Sequence, residues 1–172
     1  MDYGVQFNKL MYERLLQGGD ITPFSPSDVP HLYWSFFNDQ ELFKIVYEKA
    51  EKNPDIRKKT IKAIDLFSAF MEERKNTGRI YLMNVDHANT HSSFDEKLAP
   101  IHQSNLCCEI DLPTKPLSNF NDPDGEIALC TLSAINWGNI KEPADFEKPC
   151  ELAVRGLDAL LSYQNYPVLA AE

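Results

Sequence analysis

Apolar residues recur at intervals of three and four in the first part of the chain, which is the spacing of a helix that buries one face. Between residues 5 and 17 these positions are Phe7, Leu10, Met11 and Leu15. Gly18 and Gly19 follow, and glycine commonly ends a helix. The pattern therefore predicts a first helix over residues 5–17.

Three further helices are predicted before residue 77. A loop with three prolines over residues 21–30 leads into a short helix over 32–37, and another helix covers 40–50. The longest helical pattern covers residues 57–76 and is followed by Gly78. Its apolar face carries Ile61, Ile64, Phe67 and Met71.

Three apolar runs without helical spacing are predicted to be strands, over residues 80–83, 105–112 and 127–135. A turn over residues 121–125 (Asn-Asp-Pro-Asp-Gly) separates the last two runs. A final amphipathic helix covers residues 150–161. Helices that lead into short buried strands predict an α/β fold.

The chain has no internal repeat, low-complexity tract or recognisable linker, so we expect residues 1–172 to form a single segment. Residues 1–76 are expected to be mainly helical, and residues 77–172 to supply strands and the C-terminal helix. With 43% hydrophobic and 25% charged residues, the composition is that of a globular protein with a buried core.

The net charge of -9 disfavours nucleic acid and anionic membranes as partners, because the summed field repels polyanions. No apolar run approaches the length of about 18 residues typical of a membrane span. The N-terminus also lacks the basic and apolar regions of a signal peptide. We therefore expect a cytoplasmic protein.

The segment Ser-Asn-Leu-Cys-Cys-Glu over residues 104–109 carries the strongest chemical signal. In an extended backbone, successive side chains point to opposite faces, so Asn105, Cys107 and Glu109 would share one face. Cys108 would lie on the other face. A thiol between an amide and a carboxyl group predicts a reaction centre, since the carboxyl can move a proton and the amide can donate and accept hydrogen bonds.

Packing in the core is the ordinary role of an unpaired cysteine, which is among the most buried residue types. Cys108, Cys130 and Cys150, considered on sequence spacing alone, fit that interpretation. Cys107 fits it less well, because burying Asn105 and Glu109 beside it without a purpose would cost free energy.

His87 and His91 have the four-residue spacing that can share a metal on one helix face. The glutamate of the HExxH motif is missing, and Asn, Thr and Ser surround the pair. We therefore expect no metal site and interpret residues 86–91 as a polar loop after the strand over residues 80–83.

Several motifs together resemble the catalytic large (α) subunit of class Ia ribonucleotide reductase, in its bacterial or bacteriophage form. They are Ser-Asn-Leu-Cys-x-Glu-Ile from residue 104, Leu-Pro-Thr-Lys-Pro-Leu from 112 and Gly-Glu-Ile-Ala-Leu-Cys-Thr-Leu-Ser-Ala from 125. Met-Asp-Tyr-Gly-Val-Gln at the start and Asn-Val-Asp-His from residue 84 also match. The resemblance extends over essentially the whole chain.

The resemblance implies part of a ten-stranded α/β barrel with a helix-rich N-terminal part and a finger loop that carries the essential cysteine. By motif, Cys107 corresponds to the residue that becomes a thiyl radical, and Glu109 to the base that takes the 3′ hydroxyl proton. Asn105 corresponds to the amide that holds substrate and carboxyl in place. Cys130 corresponds to one member of the redox-active cysteine pair, and Leu132 to a position that lines the substrate pocket.

The same resemblance implies which groups act from outside this chain. No cofactor is expected to bind to it; a diiron-tyrosyl radical is expected in the partner small subunit, and dNTP or ATP effectors elsewhere in the large subunit. Expected partners are the remainder of the large subunit, the small subunit, thioredoxin or glutaredoxin, and a ribonucleoside diphosphate substrate. At 172 residues the chain is far shorter than the family's large subunit, so we expect activity only when another polypeptide completes the barrel.

Two alternatives remain on sequence grounds. One is a non-catalytic fragment that uses the helices of its first 76 residues as an assembly or interaction module. The other is a thiol oxidoreductase that uses Cys107 and Cys108 as a pair, although a disulfide between adjacent cysteines would be strained.

Overall fold

Helices alternate with short strands in the computed structural model, which describes residues 2–172. The strands are β1 Tyr3–Phe7, β2 Asp20–Ile21, β3 Ile61–Lys62 and β4 Ile80–Asn84. The helices are α1 Lys9–Leu16, α2 Pro30–Asn38, α3 Gln40–Lys52, α4 Ala63–Thr77, α5 Val85–Thr90 and α6 Glu147–Tyr163. The contacts divide the chain into two units, Met1–Thr114 and Lys115–Glu172.

Strands β1 and β4 form a parallel pair within the first unit, in register from Tyr3 opposite Ile80 to Phe7 opposite Asn84. Parallel neighbours need a long crossover connection. Here that connection contains α1 to α4, and α4 leads directly into β4. A second, antiparallel pair joins β2 to β3, with Ile21 opposite Ile61.

Aromatic side chains form the core that fixes α4 against the parallel pair. Phe7 of β1 stacks on Phe67, with 4.9 Å between ring centroids, and contacts Phe70 at 5.4 Å. Ala63 at the start of α4 is completely buried, and Ile21 of β2 and Ile80 of β4 also belong to this cluster. Such contacts between large rings stabilise beyond the area that they bury.

Hydrogen bonds at the C-terminal end of α4 stop the helix and connect it to β4. Gly78 adopts a left-handed conformation (φ 66°), and its N–H donates to the carbonyl oxygen of Arg74 at 2.8 Å. The Arg74 side chain in turn donates to the carbonyl oxygen of Ile80 at 2.7 Å. The predicted helix end at Gly78 and the predicted strand after it are both confirmed.

The second unit contains α6, short 3-10 turns and a turn around Asp122. The Asp122 carboxylate accepts hydrogen bonds from the backbone N–H groups of Ser118 at 2.8 Å and Asp124 at 2.9 Å. Hydrogen bonds from Ser118, followed by the one from Asp124, lower the pKa of Asp122 to about 2. The predicted turn over residues 121–125 and the predicted C-terminal helix are confirmed.

Two helix predictions were wrong at their first turns. Residues 5–7 belong to β1, because Val5 and Phe7 pair with Leu82 and Asn84 of a strand far along the chain. Residues 57–62 lie outside α4 and end in β3, which pairs with β2. Local spacing does not reveal these distant partners. The predicted helices over residues 32–37 and 40–50 are confirmed as α2 and α3.

Two strand predictions were also wrong, and β4 is the one strand over residues 77–172. Residues 127–135 are irregular, and within the second unit the only bridge joins Lys115 to Glu126. A strand needs a neighbour for its backbone groups. Residues 105–110 form a turn held by hydrogen bonds to Asn105, and residues 111–112 are irregular. The residues that the structure describes contain no closed barrel. The organisation of residues 1–172 as a single segment stays a prediction.

Replacing Phe67 by Ala should lower the free energy of unfolding by about 3–5 kcal/mol, because it removes the ring that stacks on Phe7 and leaves a cavity. Chemical denaturation measures this change. Leu16→Ala is the matched control, since Leu16 is 86% exposed on α1 and its removal should change the free energy by less than about 0.5 kcal/mol. Equal effects of the two substitutions would contradict this account of the core.

Candidate active site

Asn105 organises the turn that carries the two adjacent cysteines. Its side-chain oxygen Oδ1 accepts hydrogen bonds from the backbone N–H groups of Glu109 and Ile110, both at 3.1 Å. Its own carbonyl oxygen accepts the N–H of Cys108 at 3.0 Å. Asn105 therefore accepts hydrogen bonds from three backbone N–H groups of the segment. Asn side chains that bind nearby backbone groups in this way favour turns over strands.

The turn changes how Cys107 and Cys108 are presented. Cys108 has φ 62°, a left-handed conformation that is uncommon for residues other than glycine. Cys107 is exposed and Cys108 is half-buried. The alternation expected over residues 105–112 requires an extended backbone, so the prediction that Asn105, Cys107 and Glu109 share a strand face was wrong.

Asn89 of α5 anchors the backbone just before this turn. Its Nδ2 donates to the carbonyl oxygen of Ile101 at 2.9 Å, and its Oδ1 accepts the N–H of Ile101 at 2.8 Å. Asn89 is 8% exposed and Ile101 is completely buried. A second anchor comes from β1, where Gln6 Nε2 donates to the carbonyl oxygen of His102 at 2.7 Å. Residues 101–102 are thus held from two elements.

Sequence reasoning missed Asn89 and Gln6, and it placed Asn89 in a polar loop. Residues 85–90 instead form α5, and the loop prediction was wrong because Val85 and Asn89, one turn apart, are both buried. The four-residue spacing of Val85 and Asn89 was a signal in the sequence that could have indicated the helix. His87 and His91 lie one turn apart, with 5.1 Å between ring centroids. Within residues 2–172 no group of three or more potential ligands could hold a metal ion.

Two cavities adjoin the turn, and Cys108 lines both of them. One, of about 410 Å³, lies against Gly4 and Gln6 of β1 and the side of Asn105. The other, of about 530 Å³, is lined by both polar and apolar residues, which include His87 and Asp111. The packing role expected of Cys108 therefore describes it incompletely, because this half-buried residue borders two cavities.

Carboxylates lie near the Cys108 thiol, and the opposing effect of Arg74 is the smallest of the charges that act on it. Burial raises its pKa, and the carboxylates of Asp111 and then Glu109 raise it further. His102, which precedes the turn, has its pKa lowered by burial. Asp111 Oδ1 and His102 Nε2 are both buried without a hydrogen-bond partner among residues 2–172. The turn is thus an environment that disfavours charge on Cys108.

Cys130 and Leu132 belong to the second unit, in the irregular stretch that follows the Lys115–Glu126 bridge. Cys130 is exposed and Leu132 is 81% exposed. Both side chains are therefore accessible in this chain. Cys150 is also exposed and lies in the first turn of α6.

The family model described as ribonucleotide reductase, barrel domain, matches residues 1–172. The chain belongs to this family. It is 63% identical over 172 residues to the ribonucleoside-diphosphate reductase subunit alpha of Buchnera aphidicola subsp. Acyrthosiphon pisum, and 62% identical to that of Haemophilus influenzae. To the same subunit of Enterobacteria phage T4 it is 50% identical over 175 residues. These comparisons cover 100% of the chain.

This member of the family spans 23% of the length of each of these three relatives. It thus corresponds to a segment of the α subunit, and the predicted resemblance to bacterial and phage forms is confirmed. The mixed helices and strands agree with the predicted α/β class. Every helix of residues 2–172 is too short or too polar to cross a lipid bilayer.

Asn89→Ala should loosen the backbone ahead of the turn, because it removes both hydrogen bonds to buried Ile101. Leaving each group unpaired costs about 1–3 kcal/mol. The amide hydrogen of Ile101 should therefore exchange at least about tenfold faster, the factor that corresponds to 1.4 kcal/mol. Asn38→Ala is the control, since the Asn38 amide donates to a carbonyl oxygen on an exposed part of α2. Unchanged exchange at Ile101 in Asn89→Ala would contradict the anchoring role.

The alkylation of Cys108 should shift to higher pH, because only the thiolate reacts and a raised pKa leaves less of it at any given pH. The pH midpoint should lie above the ordinary value of about 8.5. Asp111→Asn and Glu109→Gln should each lower that midpoint. Iodoacetamide labelling read by tandem mass spectrometry measures it. Glu41→Gln, on α3, removes the same charge and should leave the midpoint unchanged; an equal shift there would exclude a local effect.

Proposed function

We propose that this chain is the segment of a class Ia ribonucleoside-diphosphate reductase that carries the radical cysteine. It would act in the reduction of ribonucleotides to deoxyribonucleotides. The observation that carries the proposal is the turn built by Asn105, in which Cys107 and Glu109 are both exposed, in a chain that matches the reductase barrel family throughout. The reaction needs these residue types close together.

Cys107 is the proposed thiyl radical. It abstracts the hydrogen on C3′ of the substrate, which forms an S–H bond and leaves a carbon radical. The exposure of Cys107 supports access of a substrate to the sulfur. A thiyl radical must also be shielded from solvent, so the proposal requires the remaining α polypeptide to cover this surface.

Glu109 is the proposed base for the 3′ hydroxyl proton. Removal of that proton shifts negative charge onto the 3′ oxygen of the sugar and helps the 2′ hydroxyl to leave as water. The Glu109 side chain is exposed, whereas its backbone N–H is fixed by Asn105. Asn105 is then a positioning residue for the carboxylate through its Oδ1. Its Nδ2 donates no hydrogen bond within residues 2–172, which supports a role in holding the substrate.

Cys130 is the proposed member of the cysteine pair that supplies electrons, and Leu132 the proposed pocket residue. Two thiols become a disulfide while the 2′ carbon gains hydrogen in place of the hydroxyl group, so the two electrons and the released water balance. The exposure of both side chains supports contact with the substrate or with a partner. The second thiol lies outside the matched motifs.

The proposed assembly supplies what this segment lacks. The remaining α polypeptide completes a ten-stranded barrel, and the small subunit carries the diiron-tyrosyl radical from which the Cys107 radical derives. Thioredoxin or glutaredoxin reduces the disulfide, and dNTP or ATP effectors bind elsewhere in the α subunit. We assign the assembly to the cytoplasm, where disulfides are kept reduced.

Reconstitution with the complementary α polypeptide, the small subunit and a dithiol reductant should produce deoxynucleotide from a ribonucleoside diphosphate. Cys107→Ser should abolish the product, because a serine hydroxyl cannot replace the sulfur radical. Glu109→Gln should slow turnover by about 10²–10⁴-fold, the usual loss of general-base catalysis. Chromatographic quantification of the deoxynucleotide measures both.

Cys108→Ser is the matched control in the same turn and should retain product formation. Equal activity of Cys107→Ser and Cys108→Ser would contradict the assignment of the radical. Isolation of the chain from its source as a monomer, unable to associate with other reductase chains, would instead favour the non-catalytic interaction module.

A further inference from the structure

The turn contains two adjacent thiols, of which the proposed reductase chemistry uses only one. Cys107 and Cys108 are both free, and the other cysteines, Cys130 and Cys150, each lie alone in their part of the sequence. Among residues 2–172 the peptide bonds are trans, so the Cα atoms of adjacent residues are about 3.8 Å apart. The chain thus brings two soft ligands together at one place.

The backbone conformation decides whether two adjacent thiols can act together. In a strand, neighbouring side chains point to opposite faces. Here the left-handed conformation of Cys108 (φ 62°) interrupts that alternation, and the hydrogen bond from its N–H to the Asn105 carbonyl oxygen closes the turn. Cys107 is exposed, half-buried Cys108 borders two cavities, and the Cys107 thiol is close enough to affect the pKa of Cys108, so one small ligand has access to both residues.

We propose that Cys107 and Cys108 form a dithiol site that chelates trivalent arsenicals. One arsonous acid, R–As(OH)₂, condenses with the two thiols; two As–S bonds form and two As–O bonds break. The two thiol protons leave with the hydroxides as two molecules of water, and no electrons are transferred. Binding here requires only the two thiols and the turn, so it does not depend on the proposed reductase activity, although it would occupy Cys107.

The charges around the turn favour this ligand over a thiolate reaction. Asp111 and Glu109 oppose a negative charge on Cys108 and so disfavour disulfide exchange, which proceeds through a thiolate. The arsenic dithiolate product is neutral. It replaces two ionisable thiols by an uncharged group, and the neighbouring carboxylates therefore do not oppose it.

Titration of the complete chain with phenylarsonous acid, followed by intact mass spectrometry, tests the proposal. One equivalent should give a 1:1 adduct that consumes two of the four thiols. Peptide mapping should place the arsenic on residues 107–108. A chelate should resist glutathione, a monothiol, and should be released by 1,2-ethanedithiol.

Cys107→Ser and Cys108→Ser should each weaken adduct formation at least tenfold, whereas Cys150→Ser should not change it. Cys108→Gly is a second variant that accepts φ 62° without strain and should also lose the chelate. An equally tight adduct in Cys108→Ser, arsenic mapped to Cys130 or Cys150, release by glutathione alone, or no adduct would each overturn the proposal. Mapping on the unsubstituted chain does not depend on whether any variant folds.

Discussion

The parallel pairing of β1 with β4 is the interaction on which the position of the cysteine turn depends. Gln6 extends from β1 to the carbonyl oxygen of His102, and α5, which carries Asn89, begins directly after β4. A hydrogen bond from Tyr12 to Asn84 adds a further link between α1 and the end of β4. Without the β1–β4 pairing, Gln6 and Asn89 would no longer be held at fixed positions relative to each other, and residues 101–102 would lose their two anchors.

Local spacing predicts the helices well and the strand partners poorly. α2, α3 and α6 follow from amphipathic periodicity, and the end of α4 follows from Gly78. The first strand could not be recognised, because its apolar residues also fit a helical pattern and its partner is far away in sequence. Polar residues likewise concealed α5, whose buried face consists of Val85 and Asn89.

Residue types at the candidate site could be predicted, but their geometry could not. The motif pointed to Asn105, Cys107 and Glu109 through their chemistry and through resemblance. Their arrangement depends on a side chain that takes backbone hydrogen bonds, which replaces strand alternation by a turn. The left-handed conformation of Cys108 has no sequence signal, since it is neither glycine nor asparagine.

The long sequence separation between Tyr3 and its partner Ile80 also limits when the two strands can pair during synthesis. The two strands begin 77 residues apart, so β1 cannot find its partner until the whole crossover has been synthesised. At about 5–20 residues per second, that delay is about 4–15 s. During this interval β1 lacks its β4 partner, and an unpaired strand edge is open to other chains. The cysteine turn, encoded after β4, can be fixed only at the end of this sequence of events.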